Sequence, residues 1–410
     1  MTLAASNDLR ATNACTAVEK EDSKVVAGAE SIILVPGLFG FSRIGNIDYF
    51  AAVANLLSKA SGIEDVTPLP TPPTGPLWRR VDALHRCVRE KVSQGVKRIH
   101  VIGHSTGGID VRLLTNSRYM WPDGPWGDDR SSWFDHIGSV ISISAPHRGT
   151  PIARRLRGSL EGAIPLLFLV SILAKIDGQN HGPWKSIRER LERAYLYVRL
   201  ARSIKTRSAT PSHEAVADWS SADNDVRAFL DQIVDDHPLI HELTPYAMAR
   251  LNEKLAAGRD AGRELPVRCF VTVAPPPALR RADFRPAGGL APARRALYVA
   301  SYEAARLEAG TFGPLPEGRW IGQPERLDDF ASVAQDGVVP AASQTLDGRA
   351  EALVYGDHLD VVGHFPGAKY GGETVFDSGA DFDDARMEAV WTAVGAVVVN
   401  SRSRDCLSAA

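Results

Sequence analysis

Short runs of apolar residues alternate along the chain with longer segments in which apolar residues recur every three or four positions. The short runs predict buried β-strands and the longer segments predict amphipathic helices. The predicted strands are residues 32–35, 99–102, 140–144, 267–273 and 353–355. Because these runs are largely apolar, they predict a mostly parallel central sheet that helices cover on both faces.

Helical spacing is clearest in three segments, at about 50–57, 81–92 and 387–398. The apolar residues that share one face are Phe50, Val53, Leu56 and Leu57, then Val81, Leu84, Val88 and Val92, then Met387, Val390, Trp391, Val394 and Val398. With the strands between them, these helices indicate an α/β fold.

Two stretches break the alternation. Residues 151–245 contain an apolar run at 164–173, then a basic helical segment and a polar segment, and they predict a mostly helical insertion. We expect it to form a lid over the carboxyl ends of the strands, where α/β folds bind ligands; ordinary helix packing between strands is the alternative. Residues 275–322 are rich in Pro, Ala, Gly and Arg and predict a loop.

The domain prediction follows from this pattern. Residues 31–400 form one domain that includes the insertion, residues 1–30 form a mobile N-terminal tail, and residues 401–410 form a C-terminal tail. The first thirty residues lack the continuous apolar stretch of a signal peptide, so we expect a cytoplasmic protein, or a secreted one if a native signal has been removed. The apolar run at 164–173 is too short to span a bilayer.

Net charge and cysteine content limit the classes of partner and of structural site that we expect. The net charge is −2, which gives no reason to expect nucleic acid or an acidic membrane surface. The four cysteines are far apart in sequence and form no C-x-x-C pair, which excludes a dense disulfide framework and disfavours a zinc site. No cofactor is expected to be required.

One pentapeptide carries the chemistry, Gly103-His104-Ser105-Thr106-Gly107. It stands between a predicted strand and a predicted helix, the setting of a nucleophile elbow, a sharp turn that exposes the serine Oγ. Side chains in place of the glycines would collide with the neighbouring strand and helix. The alternative is a glycine-rich turn with a surface serine.

A serine nucleophile needs a base and an acid that orients the base, and in this arrangement they follow in the order Ser, acid, His. Asp336 in a turn-like sequence and His358 after a predicted strand are the candidates. The competing residues are His364, His237 and His241 as bases and Asp357 and Asp360 as acids; His104 and His147 are expected to have packing or supporting roles.

An oxyanion hole requires two backbone N–H donors. Thr106, the residue after the nucleophile, supplies one, and we expect Leu38 in the glycine-rich loop at 35–41 to supply the other. Phe39 and Phe41 in the same loop are candidates for substrate binding.

Five segments together resemble the bacterial true lipases of the Pseudomonas and Burkholderia type, in the α/β-hydrolase superfamily. They are residues 34–41 continuing to 47–50, then 99–114, 144–151, 335–337 and 357–360, with further likeness at Leu243-Thr244-Pro245 and Leu251-Asn252. The resemblance implies an α/β-hydrolase fold with a helical lid and a triad of Ser105, Asp336 and His358.

The chain departs from the family at several positions. Pro36 stands where the family usually has His, and Thr106 stands where Gln is common. The resemblance also raises a structural calcium: Asp360 matches one ligand position, but His364 stands where a Gln is expected, and calcium prefers oxygen ligands. Calcium is therefore a weak expectation.

The predicted function is a serine carboxylic-ester hydrolase that acts through an acyl-enzyme on lipid-like esters, small or polymeric. We expect contact with a lipid interface to open the lid. An intracellular aliphatic polyester depolymerase and an acyltransferase on the same fold are the alternatives. A non-catalytic binding protein on this scaffold is a remote one.

Overall fold

A computed structural model describes residues 30–44, 47–116, 131–158, 238–257, 265–277, 291–369 and 375–408. The predicted N-terminal tail, the apolar run at 164–173, most of the predicted lid and His237 lie outside the described residues.

Seven parallel strands form the central sheet. Their bounds are β1 Glu30–Val35, β4 Asp65–Pro68, β5 Arg98–His104, β6 Ile137–Ile143, β7 Val267–Val273, β8 Glu317–Ile321 and β9 Arg349–Tyr355. They lie in the order β4-β1-β5-β6-β7-β9-β8. Two short strands, β2 Arg43–Ile44 and β3 Ile47–Asp48, pair antiparallel outside this sheet. The predicted parallel sheet is confirmed.

Most helices of the described residues lie between these strands along the chain, and the last helix follows the last strand. They are α1 Val53–Ser61, α2 Leu77–Ser93, α3 Thr106–Thr115, α4 Ser131–Phe134, α5 Pro151–Gly158, α6 Pro238–Glu242, α7 Pro245–Ala257, α8 Ala291–Ala309 and α9 Asp384–Ser408. Among these residues, no helix is both long enough and apolar enough to cross a membrane.

Strand β1 shows how the sheet gains two cores. Ile32 and Leu34 face one side, where they join a buried cluster with residues of α1 and α9. Ile33 and Val35 face the other side, in a cluster with residues of α2 and α3. Successive side chains of a strand point to opposite faces, so a strand that is apolar throughout needs helices on both.

The predicted loop at 275–322 is wrong in part. Residues 291–309 form α8 and residues 317–321 form β8. The helix buries Leu297, Tyr298, Ser301, Tyr302 and Ala305 on one side. This spacing of three to four residues is helical, but the abundant Pro and Gly on either side obscured it. At the C-terminus, α9 continues to Ser408 and takes in most of the segment predicted as a tail.

Three connections meet at the carboxyl edge of the sheet and position the candidate site. Residues 36–41 follow β1, Ser105 follows β5, and His358 follows β9. Asp336 reaches the same edge differently: it follows short 3-10 turns, and the carbonyl of Gln335 accepts the N–H of Ala274, just beyond β7 (2.8 Å).

Candidate active site

Ser105 occupies the sharp turn between β5 and α3. Its φ of 54° lies in the left-handed region, which is rare for a residue with a side chain. Such strain is held only where the surroundings impose it. Here the Ser105 N–H donates to the carbonyl of Ile143 (2.8 Å), and the side chain emerges at the carboxyl edge of the sheet.

The glycines of the elbow are required sterically. A Cβ at Gly103 would lie 2.0 Å from the carbonyl oxygen of Gly107, in the first turn of α3. A Cβ at Gly107 would lie 2.1 Å from the carbonyl oxygen of Val35, in β1. Backbone cannot yield to such contacts, so the collisions expected from the sequence with helix and strand are both present.

The structure brings Ser105, His358 and Asp336 together. Nε2 of His358 lies 2.9 Å from Oγ of Ser105, and Nδ1 of His358 lies 2.7 Å from Oδ2 of Asp336. Both distances are those of hydrogen bonds. This is the arrangement of a nucleophile, a base and an acid that orients the base.

The carboxylate of Asp336 is buried and heavily hydrogen-bonded. Its Oδ1 accepts the N–H groups of Val338 (2.9 Å) and Val339 (2.8 Å). Its Oδ2 accepts the hydroxyl of Thr272 (2.6 Å) and the amide of Gln344 (3.2 Å) in addition to the His358 ring. These donors fix the orientation of the carboxylate toward His358. Thr272 and Gln344 are distant in sequence, and no local motif pointed to them.

Three of the other histidines have partners away from Ser105. Nε2 of His364 lies 3.0 Å from the carbonyl oxygen of Tyr49. Nε2 of His147 lies 2.9 Å from Oγ of Ser142. His104 contacts the backbone carbonyl of His358 through Nε2 (2.8 Å). His241 lies in α6.

The competing acids serve the loop that carries the base. Oδ1 of Asp357 accepts the N–H groups of Leu359 and Asp360, and Oδ2 of Asp360 accepts the N–H of Asp357 (2.7 Å). Burial raises the pKa of Asp357 to about 6. Burial, followed by repulsion from Asp357, raises the pKa of Asp360 well above its usual range. The carboxyls of Asp357 and Asp360 thus stabilise the loop after β9, and the ring of His358 is hydrogen-bonded to Asp336.

The same residues do not fit a calcium ion. Oδ2 of Asp360 is taken up by a backbone N–H, and the ring of His364 is directed at a carbonyl oxygen. Among the described residues, no group of three or more His, Cys, Asp or Glu side chains could hold a metal. Calcium takes six to eight oxygen ligands, and no chemical step below depends on one.

The loop after β1 carries the predicted oxyanion donor Leu38. It lies directly against the nucleophile, since a Cβ at Gly37 would stand 2.6 Å from Cβ of Ser105. The N–H of Thr106 is at the first position of α3, where no intrahelical partner exists. Within the described ranges, neither N–H has a hydrogen-bond partner. Both are available to a developing oxyanion.

The two phenylalanines of this loop lie beside the site. Phe39 is buried, has a φ of 72°, and its N–H donates to the carbonyl of Pro73 (2.8 Å). The Phe41 ring packs edge-on against Tyr49, with centroids 5.4 Å apart. Their role in substrate binding stays a prediction.

Arg80 forms hydrogen bonds that hold the loop after β1 in place. Its side chain is fully buried, and Nη2 donates to the carbonyl of Pro36 (2.7 Å) while Nη1 donates to the carbonyl of Pro72 (3.0 Å). Nε donates to Oδ2 of Asp110 in α3 (2.9 Å). The Arg80 guanidinium thus connects three segments. They are residues 36–41 after β1, called the oxyanion loop below, the segment before α2, and α3, which follows Ser105. No local sequence motif marks Arg80, because its partners are distant along the chain.

We expect Arg80→Met to lower the free energy of unfolding by about 3–5 kcal/mol, because the Asp110 carboxylate then stays buried without its cation. Burial raises the pKa of Asp110 to about 6 even with Arg80 present. Without Arg80 the folded-state pKa rises further. The difference from the parent protein therefore grows as pH rises above about 6. Urea unfolding at several pH values measures it.

Arg86→Met is the matched control. Arg86 lies on the same helix, its side chain is largely exposed, and it pairs with Asp82 at i,i+4. Its loss should cost less than about 1 kcal/mol. Equal losses for the two variants would show that the buried pair has no special role.

Comparisons with known proteins agree with this architecture. The chain is 30% identical over 128 residues to a triacylglycerol lipase of Vibrio cholerae serotype O1, and 31% identical over 126 residues to a triacylglycerol lipase of Pseudomonas fragi. Each match covers 31% of this chain, and 36% and 38% of the respective relatives. The chain therefore matches little more than a third of their length. No protein-family model matches.

Among solved structures, the lipase of Staphylococcus hyicus superposes with a TM-score of 0.51 at 14% identity. The superposition covers 95% of this chain and 100% of that one. A similarity at this identity shows a shared fold.

Proposed function

We propose that this chain, which has the α/β-hydrolase fold, is a serine carboxylic-ester hydrolase. The observation that carries the proposal is the continuous hydrogen-bonded series from Ser105 Oγ through the His358 ring to the buried carboxylate of Asp336. A serine hydroxyl is a weak nucleophile without such a base. The similarity to triacylglycerol lipases supports the same reaction class.

The reaction follows from the geometry. Nε2 of His358 accepts the proton as Ser105 Oγ attacks the ester carbonyl, and Asp336 stabilises the imidazolium that forms. The N–H groups of Leu38 and Thr106 donate to the oxyanion. His358 returns its proton to the departing alcohol, which leaves an acyl-enzyme. Water then attacks the acyl group by the same steps in reverse, and the carboxylic acid is released.

The substrate class is proposed to be lipid-like esters. Two relatives are named triacylglycerol lipases, and the predicted lid contains an apolar run that would suit acyl chains or a lipid interface. The proposed steps use only side chains and backbone groups of this chain.

Covalent labelling tests the proposal. We expect a fluorophosphonate to form one adduct, on Ser105, and to abolish hydrolysis of p-nitrophenyl esters in proportion to labelling, because the phosphonyl group occupies the position of the attacked carbonyl. Peptide mapping by mass spectrometry locates the adduct. Ester hydrolysis that survives full labelling of Ser105 would rule the mechanism out.

Esters of increasing acyl length and triglyceride emulsions, assayed on the same preparation, then test the substrate class. Preference for long acyl chains supports lipid-like substrates. Activity confined to short soluble esters would contradict that part of the proposal and leave the ester-hydrolase chemistry intact.

A further inference from the structure

A buried series of hydrogen bonds connects the oxyanion loop to the backbone of the base. The N–H of Gly37 donates to Oη of Tyr49 (2.9 Å). Oη of Tyr49 lies 2.7 Å from Nδ1 of His104. Nε2 of His104 lies 2.8 Å from the carbonyl oxygen of His358. The three bonds join residues from the loop after β1, the elbow and the loop after β9.

The chemistry of the two ends sets the direction of every proton in this series. A backbone N–H can only donate, so the phenol oxygen accepts from Gly37 and its own proton goes to Nδ1 of His104. A carbonyl can only accept, so Nε2 of His104 must carry the hydrogen that faces His358. His104 is thereby held as the neutral Nε2–H tautomer.

The surroundings keep both side chains neutral. Tyr49 and His104 are 6% and 1% exposed. Burial raises the pKa of the Tyr49 phenol and lowers the pKa of His104 well below its usual range, with a further lowering by the nearby His358. An imidazolium at position 104 would have no lone pair for the Tyr49 hydroxyl, so the neutral form is also the one that the hydrogen bonds need.

The ends of the series are functional under the proposed mechanism. Gly37 precedes the donor Leu38 and packs on the nucleophile, and His358 carries the base. We propose that Tyr49 and His104 are positioning residues that hold the oxyanion loop and the base in mutual register through this oriented series. The inference rests on the proposed function, and it assigns a role to His104, the residue before the nucleophile, that packing alone does not.

Breaking the series has a specific consequence. Tyr49→Phe removes the proton that Nδ1 accepts, and the other tautomer of His104 becomes accessible. In that tautomer a lone pair on Nε2 faces the carbonyl oxygen of His358 at 2.8 Å, which is repulsive and displaces the loop of the base. The Gly37 N–H also loses its acceptor. Loss of the Tyr49 hydroxyl therefore displaces both the oxyanion loop and the loop that carries His358.

Steady-state kinetics on soluble p-nitrophenyl esters provide the first test. We expect Tyr49→Phe to lower kcat about tenfold to hundredfold with little change in KM, because displacements of about 1 Å from productive geometry have effects of this size. His104→Leu should lose a similar amount, and the double variant should lose no more than the worse single one. His104→Gln, which keeps an N–H donor for His358, should recover part of the loss.

Tyr302→Phe is the control. Tyr302 is also fully buried, and its hydroxyl has no hydrogen-bond partner among the described residues. Its kcat should match that of the parent protein. Equal kcat for Tyr49→Phe and Tyr302→Phe, or fully additive losses at positions 49 and 104, would overturn the inference. Melting temperatures separate such effects from unfolding.

Imidazole ¹⁵N spectra of the parent protein provide a second test that needs no active variant. His104, assigned by its absence in His104→Gln, should stay a neutral Nε2–H tautomer from pH 5 to 9. An Nδ1–H tautomer or an imidazolium in that range would overturn the inference. Failure of the proposed function has a different signature: ester hydrolysis would then be absent in the parent protein or would persist in Ser105→Ala.

Discussion

Replacing Ser105 with alanine is expected to lower kcat for ester hydrolysis by a factor on the order of 10⁶, the loss that follows from deleting the nucleophile of a serine triad. Oγ of Ser105 is the atom that forms the acyl bond in the proposed mechanism, and His358 Nε2 lies 2.9 Å from it. No other serine oxygen among the described residues is hydrogen-bonded to that ring. Initial rates at saturating p-nitrophenyl ester, measured against the buffer rate, give the result.

Ser142→Ala is a stringent control because Ser142 also belongs to a Ser–His pair. Its Oγ lies 2.9 Å from Nε2 of His147, the same distance as in the candidate site. Ser142 is fully buried, however, and Nδ1 of His147 has no hydrogen-bond partner within the described residues. We expect Ser142→Ala to retain nearly full kcat. If Ser142→Ala were the inactive variant and Ser105→Ala the active one, the site would be misassigned.

Replacing Asp336 with asparagine is expected to lower kcat by about 10⁴-fold, as the equivalent change does in a well-studied triad. The amide can turn its NH₂ toward Nδ1 of His358, which favours the tautomer whose Nε2 carries the proton. That tautomer cannot accept the proton of Ser105. Melting temperature separates the catalytic loss from instability, because Asp336 also accepts hydrogen bonds from Thr272 and Gln344.

Asp357→Asn tests whether the neighbouring acid shares this role. Asp357 is adjacent to His358 in sequence and is equally buried, but its Oδ1 accepts backbone N–H groups of its own loop. An amide oxygen can accept the same bonds, so we expect a far smaller loss of kcat than for Asp336→Asn. A comparable loss in both variants would contradict the assignment of Asp336 as the acid that orients His358.

Local sequence patterns predict a structure correctly where the residues that determine it are neighbours along the chain. The sequence predicts the elbow because its glycines, serine, strand and helix are contiguous. The steric need for Gly103 arises within that turn, whereas the need for Gly107 arises from contact with Val35 in β1. The strands were readable because burial on both faces demands uninterrupted apolar residues. Conversely, α8 was missed because the Pro- and Gly-rich flanks outweighed its apolar spacing, although tertiary packing buries Tyr298 and Tyr302.

The residues that hold the site together were beyond reach of such patterns. In the sequence, Arg80 cannot be distinguished from other helical arginines. In the folded protein, Asp110 and the carbonyl of Pro36 lie beside it. Tyr49 and His104 are 55 positions apart. These residues meet only because the fold brings them together. No local sequence pattern indicates that they will be in contact.

Local patterns in the amino-acid sequence predict a parallel α/β sheet and an elbow at Ser105, because each depends on residues that are neighbours along the chain. The sequence also predicts Asp336 and His358 as the partners of Ser105, with Asp357, Asp360 and other histidines as competitors, but no local pattern places these side chains in contact. The packed fold brings the ends of β5 and β9 and the segment beside β7 to one edge of the sheet. There, hydrogen-bond distances of 2.7 and 2.9 Å join Asp336, His358 and Ser105. Such directional contacts depend on atomic positions that only the packed core determines.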